Sequence, residues 1–452
     1  MESMKRITVP DDYRDFARVF VKAGYSCYFV GGAVRDNLMG RAVSDWDAAT
    51  DASSGDVIRL FRNVIPTGIQ HGTVTVRWRG RSIETTTFRV DGEYRDGRRP
   101  ESVRFTSDLK EDLSRRDFTI NGMAVDPVSG EVIDTVGGRD DLKAGVIRAI
   151  GDPLVRFTED GLRPLRAVRF AARLAFRIEE RTFSAIKSTL DCFRMVSAER
   201  VREEFSKILM VGKPAYGLGL LDQSGLLGIF LPELIACKGV VQGGPHRHDV
   251  FGHLIEACSA APDDLVIRLS ALLHDIGKPA RRLESPDGSL AFYGHDVVSS
   301  TMAGSVLKRL KYPNDTIAAV THLVRHHMFD YSEQWTDAAV RRFVNKVGID
   351  SIGDLVRLRL ADSSGMGRGP ADPRTVLPLL ERVEALRAKD QAFCIKDLAV
   401  DGNDLAALGW PRGPVMGKVL AELLEAVLDD PGLNTRPGLL AIAGKLKEKY
   451  CV

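Results

Sequence analysis

The sequence predicts an α+β protein, with a mixed α/β head over residues 1–150 and all-α segments after it. Three observations point there. Short β-branched and aromatic runs, CYFV at 27–30 and the alternating TVTVRW and RSIETTT at 73–78 and 81–87, fall within the first 150 residues. From Pro153 onward apolar residues recur at helical spacing instead, with few strand signals. At 452 residues the chain is too long for one ordinary core, so about three domains are expected.

Composition narrows the function classes. The formal net charge is only +2, so affinity for nucleic acid has to come from local basic surface. Six scattered cysteines form no C-x-x-C pair, which suits a reducing compartment better than a disulfide framework. The first residues, MESMKRITVPDDYRDF, contain no apolar targeting core, and no stretch approaches the ~20 apolar residues of a membrane span. The expectation is a soluble, cytoplasmic protein with no membrane partner.

In chain order, residues 11–24 have helical spacing, with Asp11 or Asp12 as caps, and lead into the strand CYFV. The adjacent Gly31 and Gly32 then let backbone N–H groups approach a phosphate closely, and Arg35 adds charge. Asp45 and Asp47 stand two residues apart. On a strand that spacing puts both carboxylates on one face, suited to hard cations such as Mg²⁺. A phosphate cradle beside a metal site is the equipment of phosphoryl or nucleotidyl transfer.

Residues 56–63 read as a helix and 71–89 as a β-hairpin turning at Arg79-Gly80. Glu84 on that hairpin is either a third metal-facing carboxylate or, with more weight, a surface residue. The polar, glycine- and arginine-rich stretch between Val90 and Val103 reads as a mobile loop. RRDFTIN at 115–121 follows, its paired arginines suited to clamping a triphosphate or, at equal weight, to a solvated turn.

In residues 158–177 Arg163, Arg166, Arg169, Arg173 and Arg177 share one face and Leu165, Val168, Ala172 and Phe176 the opposite one. No acid stands between Arg163 and Arg177, so the arginines are expected to seek phosphates or base edges. Pro164 is compatible with the first turn of this helix, after a cap near Thr158 or Glu159.

Amphipathic helices continue over 183–235. Eight of the nine histidines then cluster between His246 and His327. His253, the pair His274-Asp275, His295, His326 or His327, and Asp362 are spaced as ligands on successive helices around a divalent metal. An His-Asp pair inside the apolar run LSALLHDIGKP costs stability unless something binds it. The stretch SSGMGRGPADP at 363–373 reads as a linker, and glycine-proline turns open the helices of the tail.

Together GGAVRD at 31–36, DWD at 45–47, TGIQHGTVTV at 67–76, RRDFTIN at 115–121, EDGLRPLRAVRFAARLAF at 159–176 and SAER at 197–200 resemble the bacterial CCA-adding enzymes. These are tRNA nucleotidyltransferases of class II, close to the bacterial poly(A) polymerases. HLIEA at 253–257, ALLHDIGKP at 271–279 and YGHD at 293–296 resemble an HD domain, and 401–417 the tRNA-binding tail. One departure is Gly161, where proline commonly follows the ED pair, with Pro164 standing later.

The resemblance implies a nucleotidyltransferase head at 1–150, a helical neck binding base and RNA at 151–240, an HD phosphohydrolase-like domain at 241–370 and a tRNA-binding tail at 371–452. It implies Asp45 and Asp47 as Mg²⁺ ligands, and Gly32, Arg35 and Arg116 as triphosphate contacts. Asp160 and Arg163 become base readers, with Arg166 and Arg169 alongside. His253, His274, Asp275 and Asp362 become ligands of a second divalent metal. The implied activity is template-independent addition of CCA to tRNA 3′ ends from CTP and ATP. An A-adding, CC-adding or poly(A)-adding relative is the nearest alternative, and a metal phosphohydrolase with an RNA-binding head the next. Asp160 only accepts hydrogen bonds and Arg163 only donates, matching the amine-beside-acceptor edge that cytosine and adenine share. The HD residues would serve hydrolysis of phosphoesters such as 2′,3′-cyclic phosphates at damaged RNA ends; the alternative is a domain without activity that acts as a helical spacer for tRNA.

Overall fold

The structure, a computed structural model, describes residues 6–43, 45–91, 103–244, 247–389 and 392–450. The expected loop between Val90 and Val103 lies almost wholly outside them, as does His246. The chain divides into two compact units, Met1–Ile235 with Arg309–Lys311, and Ala236–Lys308 with Tyr312–Val452.

The first unit opens with α1 (Asp11–Lys22), whose cap is Pro10; Asp11 and Asp12 occupy its first turn rather than capping it. β1 (Cys27–Val30) runs into α2 (Gly32–Leu38), and β2 (Asp47–Thr50) into α3 (Ser54–Leu60), which Ser53 and Asp56 close with a capping box. β3 (Val64–Gly68) carries Pro66, tolerated because β3 is the sheet edge. β4 (Thr73–Trp78) and β5 (Arg81–Thr87) form the expected hairpin, with φ of 46° at Arg79 and 79° at Gly80, the left-handed pair such a turn requires. β6 (Arg89–Asp91) pairs β7 (Val103–Phe105) in a separate ribbon, ahead of α4 (Leu109–Ser114).

β8 (Met123–Val125) and β9 (Val132–Asp134) complete a mixed seven-stranded sheet in the order β3-β4-β5-β2-β1-β8-β9. α1 lies against it through an aromatic core. Phe16, Phe20 and Phe29 are fully buried, and the rings of Phe16 and Phe61 stack at 4.9 Å. After α5 (Gly138–Ala144), the helices α6 (Pro153–Glu159) and α7 (Arg163–Leu174) begin the helical part.

The break between α6 and α7 corrects the expected helix. Thr158 and Glu159 end α6 rather than cap α7, whose cap is Leu162, and Pro164 sits in the first turn of α7. Ala175, at φ 58°, ends the helix, so Phe176 and Arg177 lie beyond it.

The second unit is mainly helical. Val250–Ala260, Leu265–Leu273, Asn314–His326 and Ile352–Gly365 surround one core with Ala257, Ile267, Leu323 and Leu358 at its centre, and Pro414–Asp429 and Arg436–Tyr450 enclose another. Ile352–Gly365 runs into the stretch expected to be a linker, because its buried face continues through Ala361 and Gly365. Among the described residues no helix is long and apolar enough to cross a membrane.

Candidate active site and a histidine-aspartate centre

The end of β1 delivers the chain into a turn at Gly31, φ 73°, a conformation glycine adopts without strain. A Cβ at Gly31 would stand 3.3 Å from Nη1 of Arg116, so the arginine lies directly over this turn. Asp47 pairs with Val30 across β1 and β2 and therefore sits beside it. Only Asp47 belongs to the strand; Asp45 precedes it. Buried Trp46 between them enters the core while both aspartates stay exposed on the other side.

Crowding by the protein and the charges of Glu84 and Asp45 raise the Asp47 carboxyl to about 6, against the opposing pull of Arg116. Glu84, weighted as a surface residue in the sequence, is exposed on its strand and close enough to perturb Asp47. Two further carboxylates are thus near enough to act on Asp47, and hard oxygen donors of this kind suit Mg²⁺.

Beyond this corner a cleft of about 440 Å³ is lined by Gly31, Gly32, Arg35, Asp47, Arg116, Asp160, Arg163, Arg166 and Arg169, with Asp117, Asn121 and Arg200 among its further walls. Most of the sequence-predicted residues of the head and neck therefore face one space; Asp45, Glu84 and Arg177 are not among its walls. Arg35, buried, donates to Asn121 Oδ1 at 2.6 Å and to Asp36 at 2.8 Å. Asn121 in turn donates to Asp117 at 3.0 Å, and Arg166 donates to the other Asp117 oxygen at 2.9 and 2.6 Å. Burial opposes ionisation of Asp117, but Arg166 and Asn121 outweigh it and hold its carboxyl at about 2.

Asp160 follows α6, and its carboxylate receives both arms of Arg200 at 3.1 and 2.8 Å and the Leu162 N–H at 3.0 Å. It pairs with Arg200 rather than with Arg163. Arg163 donates to the carbonyls of Arg156 at 3.0 Å and Arg115 at 3.3 Å, and to Glu159, which fixes its plane. A Cβ on Gly161 would meet the Cys192 carbonyl at 2.3 Å, which explains why glycine stands where proline was expected.

The arginine face of α7 is also corrected. It lacks acids in sequence, but Glu159, Asp117, Glu204 and Asp36, arriving from other elements, pair with Arg163, Arg166, Arg169 and Arg173.

In the second unit the buried side chains of His253, His274, Asp275 and Asp362 come together, joined by His295 and His327. His253 Nε2 lies 3.1 Å from His274 Nε2 and 3.2 Å from Asp362 Oδ1; Asp275 Oδ1 lies 3.0 Å from His295 and 3.5 Å from His327. The Nδ1 atoms of His274, His295 and His327 face the carbonyls of Ala271, Phe292 and Val324 at 2.9, 2.7 and 2.7 Å, leaving Nε2 turned inward. Burial pushes His274 down, yet Asp275 and Asp362 raise it to about 10, so this centre attracts positive charge. His326 does not join it. Its ring stands against His322 at 4.7 Å, and burial with neighbouring His322 lowers it to about 4.

The Poly A polymerase head domain family matches residues 27–148, a probable RNA- and SrmB-binding site of polymerase A matches 175–238, and tRNA nucleotidyltransferase domain 2 matches 295–443. A CCA-adding enzyme of Limosilactobacillus fermentum is 34% identical over 450 residues, 98% of this chain and 99% of that protein. The chain belongs to the CCA-adding enzyme family. A CCA-adding enzyme of Enterococcus faecalis is 32% identical over 453 residues, 99% of each. The crystal structure of the Bacillus stearothermophilus CCA-adding enzyme in complex with CTP superposes with a TM-score of 0.73 at 28% identity, covering 97% of both chains.

Within this family setting, sequence reasoning passed over Arg200 as an individual residue although it ends the SAER motif, and it gave Asp117 and Asn121 no role. Their signal was chemical: an acid and an amide beside two arginines, and an arginine closing a motif of otherwise helical residues.

Proposed function

We propose that the cleft binds CTP and ATP in turn and that the chain adds C, C and A to the 3′ end of tRNA without a template. The observation that carries this is the meeting of a glycine turn, an acid corner and the Asp160, Arg163 pair in one 440 Å³ space. Gly32, Arg35 and Arg116 hold the triphosphate, and Asp45 and Asp47, aided by Glu84, hold Mg²⁺. When bound, Mg²⁺ supplies the charge that activates the 3′-hydroxyl and stabilises the leaving pyrophosphate. Asp160 accepts from the exocyclic amine of cytosine or adenine, and Arg163 donates to the adjacent ring nitrogen. Guanine and uracil present the reverse pattern and leave both groups unpaired. Arg166 and Arg169 lie alongside this pair in the cleft, Arg166 held by Asp117 and Arg169 by Glu204. The work divides over a head at 1–150, a neck at 151–240, an HD domain at 241–370 and a tRNA-binding tail at 371–452.

The test supplies transcripts ending before CCA, after C and after CC, with each labelled triphosphate. Full addition from CTP and ATP is expected; A only, CC only or repeated A would assign one of the partial or poly(A)-adding relatives. Asp45→Ala and Asp47→Ala are each expected to reduce incorporation by about 10³-fold, ~4 kcal/mol of barrier, with unfolding temperature unchanged. Retained incorporation in either would remove that carboxylate from the site.

A second reading rests on the six converging histidine and aspartate side chains. We propose that His253, His274, Asp275 and Asp362, with His295 and His327, hold divalent metal for hydrolysis of phosphoesters such as 2′,3′-cyclic phosphates at damaged RNA ends.

A further inference from the structure

Arg116 has two neighbours of functional weight: it lies over the Gly31 turn, and its charge acts on Asp47. What holds it there is Asp112, on α4. The Asp112 side chain is only 1% exposed, and its Oδ2 accepts from Arg116 Nη2 at 3.1 Å. Its Oδ1 accepts from Arg115 Nε at 2.9 Å and Nη2 at 2.7 Å, and from the backbone N–H of Arg89, the first residue of β6, at 3.4 Å. Burial alone would favour the neutral acid, but Arg116 and Arg115 outweigh it and hold the carboxyl below its usual range.

The β6 contact is itself anchored. Thr106 N–H donates to the Phe88 carbonyl at 3.0 Å, Arg89 reaches the His71 carbonyl, and the Phe105 ring on β7 covers Gly72 so closely that a Cβ there would meet it at 2.6 Å. One buried carboxylate thus joins an arginine over the phosphate turn to the root of the β6–β7 ribbon.

We infer that Asp112 is a positioning residue for nucleotide binding: it orients the Arg116 guanidinium toward the triphosphate and registers it against the β6 backbone. Arg116 is only partly exposed and has a long, flexible stem, so a carboxylate held from two sides removes rotamer freedom that triphosphate binding would otherwise have to freeze. This rests on the reading of the cleft as a triphosphate site.

Asp112→Asn keeps the shape and removes the charge. Incorporation is measured at varied CTP with saturating tRNA, then at varied tRNA with saturating CTP, alongside Arg116→Ala and the double variant. Asp112→Asn is expected to raise the CTP KM about tenfold with the tRNA KM unchanged, and the double variant to match Arg116→Ala alone. A purely structural carboxylate would lower the unfolding temperature and move both KM values together. An unchanged CTP KM in Asp112→Asn, or effects that multiply in the double variant, overturns the inference while the cleft reading stands. An unchanged CTP KM in Arg116→Ala overturns the cleft reading instead. If Asp112→Asn does not fold, Asp112→Glu keeps the charge but displaces it by one methylene, and an unchanged CTP KM there equally overturns the inference.

Discussion

Asp160 and Arg163 stand three residues apart, and in the fold they do not pair. Asp160 lines the cleft and is braced by Arg200, which donates to both of its oxygens and so fixes the carboxylate. Asp160→Ala is expected to lower discrimination of CTP and ATP over UTP and GTP by about 10–100-fold, the weight of one or two unpaired polar groups. Arg200→Ala is expected to do the same more weakly, because Asp160 keeps the Leu162 N–H. Incorporation of each triphosphate measured separately checks both; a uniform loss over all four would make the pair a helix-start device only. Asp117 gives a pH dependence. Its folded pKa, about 2, is below the usual 3.8, so its link to Arg166 stabilises the fold above the usual value and is lost as pH falls through the folded one. Asp117→Asn is therefore expected to be about 2 kcal/mol less stable than the native chain at pH 7, a gap that closes between pH ~4 and ~2. Denaturant unfolding of both across that range checks it.

At the scale of elements, the short connection from α6 to α7 does the most. It turns the chain so that Asp160 and Arg163 both face the cleft, and it does so by pressing Gly161 onto the Cys192 carbonyl at a distance no Cβ tolerates. Gly161→Ala is expected to cost about 1–3 kcal/mol of stability through overpacking against backbone. It should also relax nucleotide selection, since Asp160 moves with the turn. Thermal unfolding with the four-nucleotide assay checks both, and an unchanged protein would mean that the segment at Cys192 yields freely. Pro66 on the edge strand β3 and the Arg79-Gly80 turn follow sequence rules. The α6–α7 break does not, because its cause is a tertiary contact with a residue 31 positions away in sequence.

For the whole molecule, the two units hold two separate constellations, one of arginines and carboxylates, the other of histidines and aspartates. Asp275→Ala is expected to abolish metal binding at the histidine-aspartate centre and any phosphodiesterase activity while leaving CCA addition intact. Metal analysis of the purified protein, with both assays, checks this. Loss of CCA addition as well would mean that the second unit depends on the metal for its fold.

Much of this was legible in the sequence because the relevant chemistry is local. The glycine turn at 31–32, the hairpin and the side-by-side placing of His274 and Asp275 each sit in short windows whose residue types limit their conformation, whereas of Asp45 and Asp47 only the second joins the expected strand. The α+β class followed from where strand-type runs stop. Only the tertiary structure decided which groups meet. It supplied Glu159, Asp117, Glu204 and Asp36 to arginines that look unneutralised along the chain, and it chose His327 over His326. It also gave Asp160 to Arg200 and Arg116 to Asp112. The reason is physical: helical and strand periodicity specify the face a side chain takes, whereas its partner depends on which other element packs against that face.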